Sequence, residues 1–174
     1  ETTVSRQEGG AFIKVRMAVL AVTMQKLMDI HAVWNIKNSG AVHLEMKVEK
    51  NSEFPELPRF GLRMFLDSAL ENVTYYGMGP YESYRDKCRA SSHGCYQAKV
   101  RQLHEDYIRP QENGSHYDCD YAMLEDRPFG LMAVSEQPFS FQASVYTQEE
   151  LENKAHNYEL EEAESVILCL DYAQ

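Results

Sequence analysis

Alternating apolar and polar residues form the clearest pattern in this sequence, and they predict β-strands. Over residues 30–36 the apolar side chains take every second position, and the same alternation resumes over residues 42–48. Asn38 and Gly40 lie between the two segments, and both residue types tolerate the positive φ of a tight reversal. The pattern therefore predicts a β-hairpin with one buried face and one face in water.

The same alternation predicts further strands in the second half of the chain. Residues 60–66 form one such segment, and residues 72–76 are predicted to lie beside it. The Asn113-Gly114 pair predicts the tip of a hairpin. Residues 139–145 alternate once more, and the segments 158–160 and 166–170 are read as closing strands. With eight to ten strands by these rules, we expect an all-β fold, a large antiparallel β-sandwich.

A single short helix interrupts this pattern. Thr147 precedes Gln148, Glu149 and Glu150, so its hydroxyl can accept the amide of residue 150 while Glu150 reaches back. This capping box predicts a helix that starts here and extends to about His156.

Composition limits the classes of function. The chain has 174 residues, 17 basic and 27 acidic side chains and a formal net charge of −10. We expect one domain over residues 1–174, and no binding to nucleic acid or to an anionic membrane surface, because both depend on clustered Lys and Arg. Apolar runs of about six residues are far too short to cross a bilayer, which takes roughly 20. Four scattered cysteines predict reduced thiols and a cytoplasmic setting.

Motifs that would carry catalysis are missing from the sequence. The six histidines form no metal-binding pair, and neither a Gly-x-Ser-x-Gly nucleophile nor a glycine-rich phosphate loop occurs. Glu82 and Glu112 lie in predicted loops, but most exposed carboxylates take no part in chemistry. We therefore predict no catalytic residue and no metal ligand in this chain.

A tyrosine-rich segment at residues 72–84 stands out from this background. It places four tyrosines around two glycines and a proline, and such rings can lie against the apolar faces of sugars. Tyr75 and Tyr76 are predicted to be core residues of a strand. For Tyr81 and Tyr84 packing and ligand contact remain equally open.

Three blocks of sequence resemble one known family. They are LPRFGLRMFLDSALENVTYYGMGPYESYRD at residues 57–86, the PQENG turn within residues 107–120, and the Tyr146-Thr147-Gln148 cap within residues 139–156. In this order they resemble the C-terminal domain, or small chain, of the lacZ-type bacterial β-galactosidases of glycoside hydrolase family two. The resemblance covers roughly residues 34–174 and is weak before them.

This resemblance implies a fold and a division of labour. The fold would be a galactose mutarotase-like β-supersandwich, with the domain continuing beyond both ends of the chain. The parent reaction would be retaining hydrolysis of terminal β-D-galactosides such as lactose, through a covalent galactosyl intermediate. The two catalytic glutamates and the ligands of magnesium and of a monovalent cation would lie in a TIM barrel outside this chain. No cofactor is expected here, and the expected partners are the galactoside and the remaining domains or a large subunit. Whether the protein forms a homo-oligomer stays open.

The resemblance also implies a site. The family has a mobile loop beside the active site, and it matches Gly79, Pro80, Tyr81, Glu82, Ser83 and Tyr84 as substrate-binding candidates. Glycine at position 79 would make a change of loop conformation easy. Ser83 stands where the family usually has an amide, and Arg85 where proline is common.

Two other functions remain as alternatives. An aldose-epimerase-like sugar mutarotase would need a paired His and carboxylate on a concave sheet, and His31, His43 and His104 are the histidines in or near predicted strands. A stand-alone carbohydrate-binding module would act through its aromatic rings alone.

Overall fold

The computed structural model describes residues 1–22 and 24–172, and in them ten strands form two antiparallel sheets. In chain order the strands are β1 Thr2–Gln7, β2 Gly10–Leu20, β3 Lys26–Lys37, β4 Val42–Lys50, β5 Gly61–Asp67, β6 Asn72–Gly79, β7 Ser92–Lys99, β8 Ser115–Asp126, β9 Phe129–Ser144 and β10 Ser165–Asp171. The one α-helix of these residues is α1, Gln148–Asn153. The predicted all-β, antiparallel fold with one short helix is confirmed. No helix of the described part is long and apolar enough to span a membrane.

The chain divides into two compact units, Glu1–Glu56 and Leu57–Gln174. The first unit holds a four-stranded sheet in the order β1-β2-β3-β4. Strands β3 and β4 form the predicted hairpin, in which Gly40 has a φ of +88°. Met28, Ile30 and Ala32 are buried on one face of β3, while His31 and His43 point outward. The prediction of a single domain over 1–174 stays a prediction.

The second unit holds a six-stranded sheet in the order β5-β10-β9-β8-β6-β7. Alternation places every second side chain of these strands in one apolar core. The buried members of this core are Val73, Tyr75, Val100, Leu103, Cys119, Ala122, Leu124, Phe139, Phe141, Ala143, Val145, Val166 and Leu168. The four cysteines are free thiols, as predicted.

The predicted N-cap of α1 is confirmed, but the helix is shorter than expected. Thr147 Oγ1 accepts a hydrogen bond from the Glu150 amide over 3.1 Å. Glu150 does not complete the capping box, because its carboxylate accepts the Glu161 amide instead. The helix ends at Asn153 rather than near His156, since Lys154 already has an extended backbone.

Three local predictions are wrong. The segment predicted as a closing strand at 158–160 overlaps a 3₁₀ turn, Asn157–Glu159. Asn113-Gly114 is not a hairpin tip, because the strand before it, β7, pairs with β6 and not with β8. Strand β6 also does not lie beside β5, whose partner is β10. Strand pairing depends on the whole sheet, which local patterns do not contain.

The two adjacent tyrosines of β6 differ in burial. Tyr75 is buried in the core, as predicted, and its ring contacts those of Phe141 and His116. Tyr76 is 38% exposed, so its predicted place in the core is wrong. Because neighbouring residues of a strand point to opposite faces, only one of the pair can enter this core.

Candidate functional site

The loop at residues 79–86 begins at the last residue of β6 and is hydrogen-bonded to the start of β8. Ser83 is completely buried, and its amide donates to the Ser115 carbonyl over 2.7 Å. The Ser83 hydroxyl donates to the Met78 carbonyl and accepts the Tyr117 amide over 2.9 Å. The Ser83 hydroxyl thus has both its donor and its acceptor function satisfied.

The carboxylate of Glu82 anchors the same loop through hydrogen bonds. It is 7% exposed and accepts hydrogen bonds from Lys87 Nζ and from the Tyr107 hydroxyl. Its second oxygen accepts the Gly114 amide over 2.9 Å, and the Tyr84 hydroxyl lies 3.4 Å away. Both oxygens are therefore engaged by donors that arise from three separate parts of the chain.

These donors keep Glu82 ionised. Burial alone would raise the pKa of Glu82, but the hydrogen bonds from Lys87, Tyr107 and the Gly114 amide together hold that pKa below its ordinary value. The same contact with Glu82 raises the pKa of the Lys87 ammonium and the pKa of the Tyr107 hydroxyl. A general acid needs a raised pKa, so this arrangement suits an anchor better than a proton donor.

The outer part of the loop is presented to solvent. Pro80 is exposed, and the Tyr81 side chain is 61% exposed. Tyr84 is half-buried, and its amide and carbonyl pair with those of Lys87. At Gly79 a Cβ atom would overlap the Tyr75 hydroxyl and the Tyr96 ring, so close packing requires glycine here. The loop thus combines a fixed base with one exposed aromatic ring.

A second polar cluster centres on Arg59. Its guanidinium donates to Asp171 Oδ1 over 3.0 Å, pairs with Glu112 and lies 3.3 Å from Gln142 Oε1. Gln142 in turn donates to the Asn113 carbonyl over 2.5 Å. Asp171 is buried, and burial raises its pKa although the bonds to Arg59 act in the opposite direction.

The PQENG turn joins the two clusters. The Glu112 carboxylate forms an ion pair with Arg59, and the Asn113 carbonyl accepts a hydrogen bond from the Gln142 side chain. The Gly114 amide donates a hydrogen bond to the Glu82 carboxylate. Gln148, from the block around α1, donates to Gln142 Oε1 over 3.3 Å. The three sequence blocks that carry the family resemblance therefore meet in one hydrogen-bonded network, which sequence order alone does not reveal.

Strand β8 contributes a histidine that the sequence analysis did not single out. His116 is 1% exposed, its ring contacts those of Tyr75 and Phe141, which also contact each other, and Nδ1 lies 3.3 Å from the Met78 carbonyl. Burial lowers the pKa of His116 to about 4, so the ring is neutral at pH 7. Its hydrogen-bond and ring contacts are a carbonyl and two aromatic rings, and the Glu82 carboxylate acts on it through its charge. No sequence signal marked it, because it lies at the start of an irregular strand.

Residues 1–22 and 24–172, which the structure describes, contain no group of three or more His, Cys, Asp or Glu side chains that could hold a metal ion.

Comparisons with known proteins give a consistent result. The family model described as Beta galactosidase small chain matches residues 1–174. A beta-galactosidase of Actinobacillus pleuropneumoniae is 40% identical over 167 residues, which are 96% of this chain and 16% of that protein. A beta-galactosidase of Staphylococcus xylosus is 35% identical over 81% of the chain and 14% of that protein. The beta-galactosidase of Priestia megaterium is 26% identical over 100% of the chain and 16% of its own length. The chain spans about a sixth of the length of these curated relatives.

Proposed function

Because the chain belongs to the β-galactosidase small-chain family, we propose that it is a non-catalytic part of an enzyme that hydrolyses terminal β-D-galactosides such as lactose. In this proposal the chain contributes to carbohydrate binding and forms a wall of an active site. The catalytic carboxylates and the magnesium and monovalent-cation ligands belong to another domain or a large subunit. The proposal also places the enzyme in the cytoplasm, with the four free thiols in support.

One observation carries this proposal: the loop at residues 79–86 holds an exposed aromatic ring on a rigid polar base. Tyr81 is 61% exposed, while Glu82 and Ser83 next to it are fixed by hydrogen bonds. A sugar ring has an apolar face that packs against an aromatic side chain. Because the backbone beside Tyr81 is held by hydrogen bonds, less conformational entropy is lost there when the sugar binds.

The environment of the loop carboxylate supports a non-catalytic role. A retaining glycosidase needs one carboxyl group with a raised pKa and a second that is free to attack the sugar. The pKa of Glu82 is lowered, and both its oxygens accept hydrogen bonds from the protein. Asp171 has a raised pKa, but it is buried in an ion pair with Arg59.

Substitution of Tyr81 in the complete enzyme tests the proposal. For Tyr81→Ala we expect the KM for lactose to rise about fivefold, which corresponds to the roughly 1 kcal/mol of one aromatic contact, with kcat nearly unchanged. Tyr81→Phe keeps the ring and should stay within about twofold of the original enzyme.

Tyr158→Ala serves as the matched control, because Tyr158 is 83% exposed and lies outside the loop. Equal kcat/KM values for Tyr81→Ala and Tyr158→Ala would show that the loop ring does not contact the sugar.

A further inference from the structure

One face of the second sheet carries a group of uncharged side chains, which we call the outer-face patch. Residues that pair directly across two antiparallel strands point to the same face of the sheet. Along each strand, every second residue points to that face. The patch has two adjacent rows, and each row crosses β7, β6, β8 and β9 in that order. The first row is Cys95, Tyr76, Tyr121 and Val134. The second row is Gln97, Thr74, Met123 and Met132.

The patch is exposed although it is mainly apolar. Val134 is 68% exposed, Met132 57% and Tyr76 38%. None of the eight side chains is charged, whereas 25% of the residues in the chain are. The opposite face of these strands is filled by the core, including Val73, Tyr75, Ala122 and Leu124. An antiparallel sheet can leave one face in water, but that face then normally carries polar side chains.

Charged side chains lie at the ends of the patch. The Lys99–Glu71 ion pair, 2.7 Å long, joins the last residue of β7 to the residue before β6, and Glu125 is the next residue after Met123 on this face of β8. His93 and Asp118 lie at the opposite end, where the His93 ring packs edge-on against Tyr76. An uncharged centre rich in Met and Tyr between polar ends is typical of a protein–protein interface.

We propose that the outer-face patch is the surface against which another part of the same β-galactosidase packs, through an apolar, weakly charged surface of its own. This inference rests on the proposed function. The relatives have ample chain for such a cover, because the matched region is only 14 to 16% of their length. A sugar is a poorer occupant, since the valine of the patch offers no hydrogen bond to its hydroxyl groups and a methionine sulfur is only a weak acceptor.

The first test uses Cys95, a natural probe inside the patch. Its thiol is exposed here and lies 3.5 Å from the Tyr121 hydroxyl. In the complete native enzyme we expect N-ethylmaleimide to alkylate Cys95 at least about 100-fold more slowly than in the same enzyme unfolded in guanidinium chloride. A difference below about tenfold would mean that the patch is open to solvent and would overturn the proposal.

The second test identifies what covers the patch. The complete enzyme is produced with photo-methionine, irradiated and digested, and the peptides joined to Met123 or Met132 are found by mass spectrometry. Cross-links to residues of the enzyme outside the matched region support the proposal. Cross-links only to a second copy of residues 1–174, or none, overturn it. Neither result depends on Tyr81 or on lactose kinetics, so the sugar-binding role succeeds or fails separately.

Discussion

Individual polar side chains hold the candidate site together. Glu82 receives donors from Lys87, Tyr107 and Gly114, and Arg59 joins Glu112 to Asp171. Buried groups of this kind are costly when one partner is removed, because the other is left without water or a hydrogen bond. Substitutions in these clusters should therefore act on the loop first and on global stability second.

Removal of the Glu82 carboxylate should loosen the loop. We expect Glu82→Ala to lower the free energy of unfolding by about 1–3 kcal/mol, because the Gly114 amide and the Tyr107 hydroxyl lose their acceptor. Hydrogen exchange of residues 79–86 should accelerate, and urea unfolding gives the stability. Glu149→Ala removes an exposed ion pair with Arg63 and should leave the free energy of unfolding nearly unchanged. Equal exchange rates in the two variants would contradict the anchoring role of Glu82.

His116 should make stability depend on pH. The unfolded side chain binds a proton near its ordinary pKa of 6.5, but burial lowers the folded pKa to about 4. The unfolded chain therefore binds more protons between these values, so stability is full above pH 6.5 and is lost as the pH falls toward 4. Between pH 7 and pH 5 this single group should cost about 2 kcal/mol.

The matched variant is His116→Phe, which keeps a ring packed against Tyr75 and Phe141. Urea unfolding at pH 7 and pH 5 should give a smaller loss for this variant than for the original protein. An identical loss in both would show that His116 does not titrate as described.

At the scale of single elements, α1 illustrates how a local signal becomes structure. Thr147 caps the helix, and Leu151 on its inner face is buried. We expect Thr147→Ala to destabilise the protein by about 1 kcal/mol in urea unfolding, because the Glu150 amide loses its acceptor. Thr147→Ser keeps the hydroxyl and should retain most of that stability. A Ser variant as unstable as the Ala variant would mean that the cap hydrogen bond contributes little.

Local patterns predicted the elements that depend on neighbours in sequence. The β3–β4 hairpin and the start of α1 were predicted because alternation, Gly40 and Thr147 act over a few residues. The positions of β6 and β10 were not, because pairing in the six-stranded sheet joins residues that are far apart in the chain. Strands β1, β2 and β7 were not predicted either.

The candidate site could be predicted only in part, for a similar reason. The family resemblance pointed to Tyr81 and Glu82, which lie next to each other in sequence. It could not show that Gly114 and Tyr107 bind the same carboxylate, since those contacts exist only after the strands pair. His116 was missed because a histidine in a buried core has no pattern of its own.

At the scale of the whole molecule, we propose separate tasks for two surfaces. The loop at residues 79–86 is proposed to contact the sugar, and the outer-face patch is proposed to pack against the rest of the enzyme. The central proposal is that this chain shapes a galactoside site without supplying the groups that break the glycosidic bond.

The most direct test of that claim is the turnover of a chromogenic β-galactoside by the purified 174-residue chain, produced in a host that has no β-galactosidase. Circular dichroism with a strong β-sheet signal would establish that the sample is folded. We expect no release of the chromophore above the buffer rate, while the complete enzyme hydrolyses the same compound. Turnover by the folded chain would contradict the account, provided that a control preparation without the chain shows none.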